Sequence, residues 1–145
     1  MTTIAAMARW IVAQPWVYPS LEVLHIVGIA LLLGNLLLLE LRVWGAAPAL
    51  PVAALARLAL TLALIGFGLI AASGLLMFAS QVGELLANRA FVLKMGLVLA
   101  AGLNAAGFHA RGGLQRLDGI ARAQTALSLG LWILVIICGR WIAYR

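Results

Sequence analysis

The chain has 145 residues, of which 66% are hydrophobic and 10% are charged, and its mean hydropathy is +1.13. A soluble domain of this length has too little interior to bury so much apolar surface, and the composition also excludes a disordered chain. The net charge of +6 comes from ten basic residues scattered between apolar runs, without the basic stripe of a nucleic-acid-binding module. We therefore predict an integral membrane protein that contacts the lipid bilayer and binds no nucleic acid.

The first 18 residues form an apolar segment that is too short to span a bilayer and that is closed by Pro15. No basic residue precedes its apolar run, which argues against a signal peptide. We predict a short amphipathic helix in the membrane interface over residues 1–18, held there by Trp10, Trp16 and Tyr18.

Four further apolar stretches are long enough to cross a bilayer, which takes about 20 helical residues each. They cover about residues 21–44, 56–80, 91–110 and 123–143. The connections are short and contain Gly or Pro, so neighbouring helices run antiparallel. The predicted fold is an all-α membrane protein, an up-down-up-down four-transmembrane-helix bundle that forms one domain over residues 19–145. Ser20 is predicted to cap its first helix.

The basic residues in the loops predict the orientation. The loops after the first and third spans carry five of them, namely Arg42, Arg57, Arg111, Arg116 and Arg122. The other face carries three, namely Arg9, Arg89 and Arg145. The excess places the first and third loops in the cytoplasm and both termini in the periplasm of a bacterial inner membrane. Counting Lys94 and Arg140, which lie just inside the spans, makes the two faces equal.

Polar and sulfur-containing side chains inside the spans are the candidate functional residues, because ionisable groups are costly within a bilayer. In an antiparallel bundle, one group of them falls at one membrane face and at similar depth. The group combines an imidazole, two thioethers, a thiol and two cations, namely His25, Met77, Met95, Cys138, Lys94 and Arg140. His109, the second histidine, falls at the opposite face.

Two cofactors fit this convergence. His25 and Met77 would ligate haem b, with Lys94 and Arg140 as partners of its propionates. His25 with Met77, Met95 or Cys138 would instead suit copper(I), which favours soft ligands. One haem held by both His25 and His109 is not expected, because most of the bilayer separates them at about 1.5 Å of rise per residue.

Structural interpretations of the same residues remain open. His25 is also explained as an interfacial histidine bonded to Glu22 or to a backbone carbonyl, in a protein without a cofactor. His109 is a candidate cofactor ligand, or a histidine at a loop boundary, and Lys94 and Arg140 also fit cations that extend to the headgroups. Small residues at helical spacing, such as Gly28 and Gly66, are interpreted as packing positions. Asn35 and Asn104 are interpreted as interhelical hydrogen-bonding residues.

Three segments resemble an uncharacterised bacterial family of small four-helix integral membrane proteins. They are residues 21–25 (LEVLH), 91–109 and 139–142 (GRWI), in the first, third and fourth spans. In the second span the resemblance is carried mainly by residues 71–76. The chain is more distantly similar to the membrane domain of copper-resistance protein D and to b561-type cytochromes. Those resemblances imply copper handling or haem-based electron transfer. The chain departs from the b561 pattern, which has paired histidines at matching depths.

The leading hypothesis is a small inner-membrane protein that binds haem b or copper near His25 and takes part in electron transfer. One alternative is an accessory subunit of a larger membrane complex, without a cofactor. A third is an oligomeric carrier of a small solute or ion. The sequence contains no evident nucleophile–base pair, phosphate loop or carboxylate pair, so we do not expect an enzyme acting by itself. A homo-oligomer or a membrane complex is the expected assembly.

Overall fold

The computed structural model describes residues 2–144, which fold into helices joined by short turns. Four long helices, α2 (Val17–Val43), α3 (Val52–Ser80), α5 (Arg89–Ala110) and α7 (Gly119–Ile142), are each long and apolar enough to cross a membrane. Three shorter helices are α1 (Thr3–Ala13), α4 (Val82–Ala87) and α6 (Gly113–Arg116). Residues 2–144 contain no strand, so the protein is an all-α, multi-pass membrane protein with the predicted four spans. Arg145, used in predicting the orientation, lies outside the described residues.

Each long helix begins before its predicted span and ends within one residue of the predicted end. The largest consequence is at α2, where Ser20 lies inside the first turn and its hydroxyl donates to the carbonyl of Trp16 at 2.7 Å. The prediction that Ser20 caps the helix is therefore wrong. Pro19 does not prevent the earlier start, because the first turn of a helix leaves its N–H groups without intrahelical partners.

The predicted N-terminal helix is present as α1, and it packs onto the start of α2 and the end of α3. Ile11, which is 3% exposed, packs with Val17 and Leu21 of α2, and Met77 of α3 lies against this cluster. The outer side of α1 carries Trp10, whose ring packs edge to face against the ring of Trp16 with the centroids 6.2 Å apart. The helix is thus attached to the bundle by an apolar contact.

The long helices form two antiparallel hairpins. Helix α2 packs along α3, α5 packs along α7, and the two hairpins join where α2 contacts α7. Helices α3 and α5 also meet at one end, where the rings of Phe78 and Phe91 stack with their centroids 5.5 Å apart. The four long helices therefore run up-down-up-down. Helices α2 and α7 each pack against the other helix of their own hairpin and against each other.

The hairpin of α2 and α3 depends on a backbone-to-backbone contact. A Cβ atom placed on Gly28 would lie 2.7 Å from the carbonyl oxygen of Gly66, and one placed on Gly66 would lie 2.7 Å from that of Gly28. The buried face of α3 carries small residues, namely Ala56, Ala59, Ala63, Gly66 and Ser73. Small residues permit such close approach of membrane helices, and this confirms the packing interpretation of Gly28 and Gly66.

The outward faces of the four long helices are covered by large apolar side chains. Leu64, Leu75, Leu99 and Leu103 are each between 66% and 71% exposed. Contiguous apolar surface of this extent is typical of contact with lipid, because water would drive such surfaces to associate.

We predict that Gly66→Val destabilises the protein, because the new side chain has no space against the α2 backbone. Overpacking of this kind costs about 1–3 kcal/mol of folding free energy. The matched control is Gly68→Val on the same helix, where a Cβ atom meets nothing within 4 Å. The midpoint of thermal unfolding in detergent should fall for Gly66→Val and stay near wild type for Gly68→Val. Equal midpoints for the two variants would contradict the backbone contact.

Candidate functional site

His25 lies on the face of α2 that packs against α3, where it is partly buried beside Ser73. Its Nδ1 atom is 3.0 Å from the Ser73 hydroxyl oxygen, which itself lies 2.6 Å from the Leu69 carbonyl oxygen. The serine has one proton, and the carbonyl can only accept, so the hydroxyl donates to Leu69 and accepts from His25 Nδ1–H. The neutral imidazole then has a lone pair on Nε2, which is the arrangement of a histidine prepared to ligate a metal.

Lys94 brings a positive charge into the same region from α5. Its side chain is partly buried and lies beside Gly139 of α7, where a Cβ atom would be 3.3 Å from the lysine Nζ. The ammonium is close enough to interact electrostatically with His25 and with Cys138, the buried cysteine of α7. Three helices thus bring His25, Lys94 and Cys138 to one end of the bundle. We call these three residues and Ser73 the His25 cluster.

The other predicted residues at this end make different contacts. Met77 packs against the apolar cluster of α1 and α2, and Met95 is 44% exposed. Arg140 is exposed, and its guanidinium donates to the Tyr144 hydroxyl at 2.7 Å and lies over that ring. Within residues 2–144 there is no group of three or more His, Cys, Asp or Glu side chains arranged for a metal ion.

A groove between α5 and α7 opens beside Cys138. It has a volume of about 340 Å³, and its lining residues are Arg89, Ala90, Leu93, Ile137, Cys138 and Trp141. Apolar side chains dominate this lining, with one cation, Arg89, at the start of α5. The groove therefore suits an apolar group that carries a negative charge at one end.

A second polar cluster lies at the opposite end of α2, and the sequence analysis missed its central residue. Glu40 is 3% exposed, and its Oε2 atom has no hydrogen-bond partner among the described residues. Ser128 of α7 lies near the carboxyl group and lines the same cavity. A cavity of about 50 Å³ adjoins Glu40, and its polar lining consists of Asn104, Gln124, Thr125, Ser128 and His109. We call these residues the Glu40 cluster.

Glu40 could have been found from the sequence, because it is a single acidic residue in the apolar run LLLLELRVW within the predicted first span. A stripe at a helical spacing of three and four residues runs along the first span from Glu22 and predicts Leu39 and Arg42 on the inward face, without Glu40. Leu39, Glu40 and Val43 are all buried, so the inward face of α2 is wider at this end than the stripe indicated.

Hydrogen bonds connect α7 to its neighbours around the Glu40 cluster. The Asn104 amide donates to the carbonyl of Gln124 at 2.8 Å, which confirms its predicted interhelical role. The Trp44 indole N–H, at the end of α2, donates to the Thr125 hydroxyl at 2.7 Å. The prediction for Asn35 is wrong, because its amide donates to the Leu31 carbonyl one turn back in the same helix.

His109 belongs to this second end of the bundle. Its ring is exposed and meets Phe108 edge to face at 5.2 Å, and it lines the cavity that adjoins Glu40. His25, in contrast, contacts the last turns of α3. The two histidines are therefore at opposite ends, as the antiparallel arrangement predicted, and one haem cannot be ligated by both in one chain.

Asp118 fixes the start of α7 next to the Glu40 cluster. Its Oδ1 atom accepts the Ala121 N–H at 2.8 Å, and its Oδ2 atom accepts from the Arg111 guanidinium at 3.0 Å. The backbone N–H of Ala121 is the main cause that lowers the pKa of Asp118, and Arg111 lowers that pKa further. Arg111 also donates to the Gln124 side chain at 3.2 Å, so this loop holds a residue of the cavity in place.

Asp118 should make the stability of the protein depend on acidic pH. Since its folded-state pKa lies below the unfolded value of about 3.9, the stabilisation is complete above that value and declines as the pH falls through the folded-state pKa. Asp118→Asn should therefore unfold at a lower temperature than wild type near pH 7, with the gap closing below about pH 4. Thermal unfolding in detergent over this pH range tests this, with Glu84→Gln as the exposed-carboxyl control. A gap that is independent of pH would contradict the prediction.

No family model, curated protein or solved structure matches this chain. The functional conclusion therefore depends on the chemistry of the two clusters.

Proposed function

We propose that the protein is a small membrane protein that holds a redox cofactor, haem b or copper, through Nε2 of His25. The observation that supports this most directly is the hydrogen bond between His25 Nδ1 and a serine whose own proton is committed to a backbone carbonyl. Metal-ligating histidines commonly have their other ring nitrogen fixed in this way, which sets the tautomer and raises the basicity of the ligating nitrogen. When bound, either cofactor would supply one-electron redox chemistry, and electron transfer in the membrane is the proposed role.

The neighbouring residues offer what each cofactor needs. The ammonium of Lys94, within electrostatic range of His25, would pair with an anionic group such as a haem propionate, and the exposed Arg140 offers a second cation at this end. Cys138 would supply the soft ligand for copper(I), with Met77 and Met95 as further thioethers of the same end. The resemblances to copper-resistance protein D and to b561-type cytochromes favour the same two cofactors.

The proposed setting is a bacterial inner membrane, with both termini in the periplasm and with the chain in a homo-oligomer or a larger membrane complex. The orientation is supported by the excess of arginine at one end of the bundle, on the helix ends that flank the α2–α3 turn and along the segment from the end of α5 to the start of α7. The long apolar faces of the helices support association with other membrane helices as well as with lipid.

The first test is cofactor content after purification in detergent from a host that makes haem and is supplied with copper. Absorption spectra of the oxidised and dithionite-reduced protein, with elemental analysis of the same sample, should reveal haem or copper in the wild type. His25→Ala should reduce the content to near zero because it removes the nitrogen ligand. His109→Ala is the matched control, since it removes the other histidine at the opposite end, and it should retain the wild-type content.

Two results would overturn this proposal. A colourless, metal-free wild type is one, and retention of the full cofactor content in His25→Ala is the other. In the first case the accessory-subunit alternative predicts that larger membrane chains co-purify with the protein. The carrier alternative predicts instead a solute flux in liposomes that is lost when Lys94 or Arg140 is changed.

Ser73 is a positioning residue in this proposal. Removing its hydroxyl should change the affinity and the reduction potential of the cofactor, while the ligand His25 stays in place. Ser73→Ala should weaken cofactor affinity by roughly 10–100-fold and raise the reduction potential, because the imidazole becomes a less basic ligand. Ser80→Ala is the control on the same helix, since its hydroxyl donates to the Met77 carbonyl. Potentiometric titration of both variants measures the effect. A potential unchanged from wild type in Ser73→Ala would contradict the role of this hydrogen bond.

A further inference from the structure

Glu40 is a carboxyl group buried between membrane helices without a compensating charge at its cavity. It is 3% exposed, and its Oε2 atom has no hydrogen-bond partner among residues 2–144. The adjoining cavity is lined, besides Glu40, by apolar residues of α2, α3 and α5 and by five polar residues, namely Asn104 and His109 from α5 and Gln124, Thr125 and Ser128 from α7. His109 is the one titratable group among them.

The arginines of this end are engaged elsewhere or exposed. Arg42 of α2 donates to the backbone carbonyls of Leu50 and Pro48, and Arg111 is bonded to Asp118 and to the Gln124 side chain. Arg57 of α3 and Arg122 of α7 are exposed. Burying an ionised carboxylate without a partner is strongly unfavourable, so the neutral, protonated acid is the form that suits this position.

The cavity offers a route for the proton. Its volume of about 50 Å³ is sufficient for a water molecule, which needs roughly 10–15 Å³ measured in this way and two to four polar partners. Glu40 and the hydroxyl and amide groups of α5 and α7 supply those partners. The same cavity is lined by His109, which is exposed in the last turn of α5. An imidazole can accept a proton on one ring nitrogen and release one from the other, and this side chain lies between the cavity and the outside of the bundle.

We propose that Glu40 is a proton-binding site within the membrane, which exchanges its proton with the aqueous phase through a water-sized cavity and His109. The step moves one proton between the carboxyl group and water and needs no other reactant. It is independent of the cofactor proposed at His25, which lies about 22 Å away along α2 at about 1.5 Å per residue.

The experiment is infrared spectroscopy of the protein in lipid nanodiscs as a function of pH. The wild type should show the C=O stretch of a protonated carboxylic acid at neutral pH, which shifts in D₂O and converts to carboxylate bands as the pH rises. Glu40→Gln should remove that band completely. Glu22→Gln, an exposed carboxyl on the same helix, should leave it unchanged. Glu40→Asp should shift the band rather than remove it, which keeps the test valid if the glutamine variant folds poorly.

The route is tested by the rate of hydrogen–deuterium exchange at the same band. His109→Ala should slow this exchange several-fold without removing the band, and Leu103→Ala, at an exposed position of the same helix, should change neither the band nor its exchange rate. The proposed route is overturned if exchange in His109→Ala is as fast as in wild type.

The proton site itself is overturned by either of two results. One is that, at every pH measured, the wild-type spectrum contains no carboxylic acid C=O band that is missing from the Glu40→Gln spectrum. The other is loss of the band on addition of sodium or lithium ions at constant pH, because the cavity would then bind a cation in exchange for the proton.

Discussion

The contact between the backbones of α2 and α3 at Gly28 and Gly66 sets the geometry on which the rest of the bundle depends. The absence of side chains at these two positions allows the helices to approach until carbonyl oxygens meet the opposite helix. His25 lies one turn before Gly28, and Ser73 lies two turns after Gly66, so the close crossing also brings the imidazole to the hydroxyl at 3.0 Å. With larger residues at the crossing, the two helices would stand further apart and this hydrogen bond would be lost.

The second hairpin determines which polar residues meet the first. Helix α7 contacts both α2 and α5, and it contributes residues to both clusters, Cys138 at one end and Ser128 at the other. Its start is fixed by the Asp118 cap and the bond between Asn104 and the Gln124 backbone. Its position therefore controls the polar environment of His25 and of Glu40 together, although the two groups lie at opposite ends of α2.

The two clusters differ in the chemistry they offer. At the His25 cluster, the hydrogen bond of the imidazole Nδ1 to Ser73 leaves the lone pair of Nε2 for a ligand, and the ammonium of Lys94 is within electrostatic range. At the Glu40 cluster, a carboxyl group lies among uncharged polar side chains and His109, next to a cavity large enough to hold a water molecule. The two proposals can be tested separately, although both residues lie on α2. The proposal for His25 predicts cofactor content, the proposal for Glu40 predicts a carboxylic acid band, and neither signal depends on the other.

The amino-acid sequence by itself determined the four spans, their antiparallel order and the separation of the two histidines. These follow from the length of apolar runs and from the rise of a helix, which are local properties. It did not determine which side chains meet, because rotation and crossing of helices depend on packing between distant segments. Only the tertiary structure showed that Ser73 is the hydrogen-bond partner of His25 and that the Asn35 amide bonds within its own helix. It also showed that Glu40 is buried, although the stripe through Leu39 and Arg42 predicted an inward face without it.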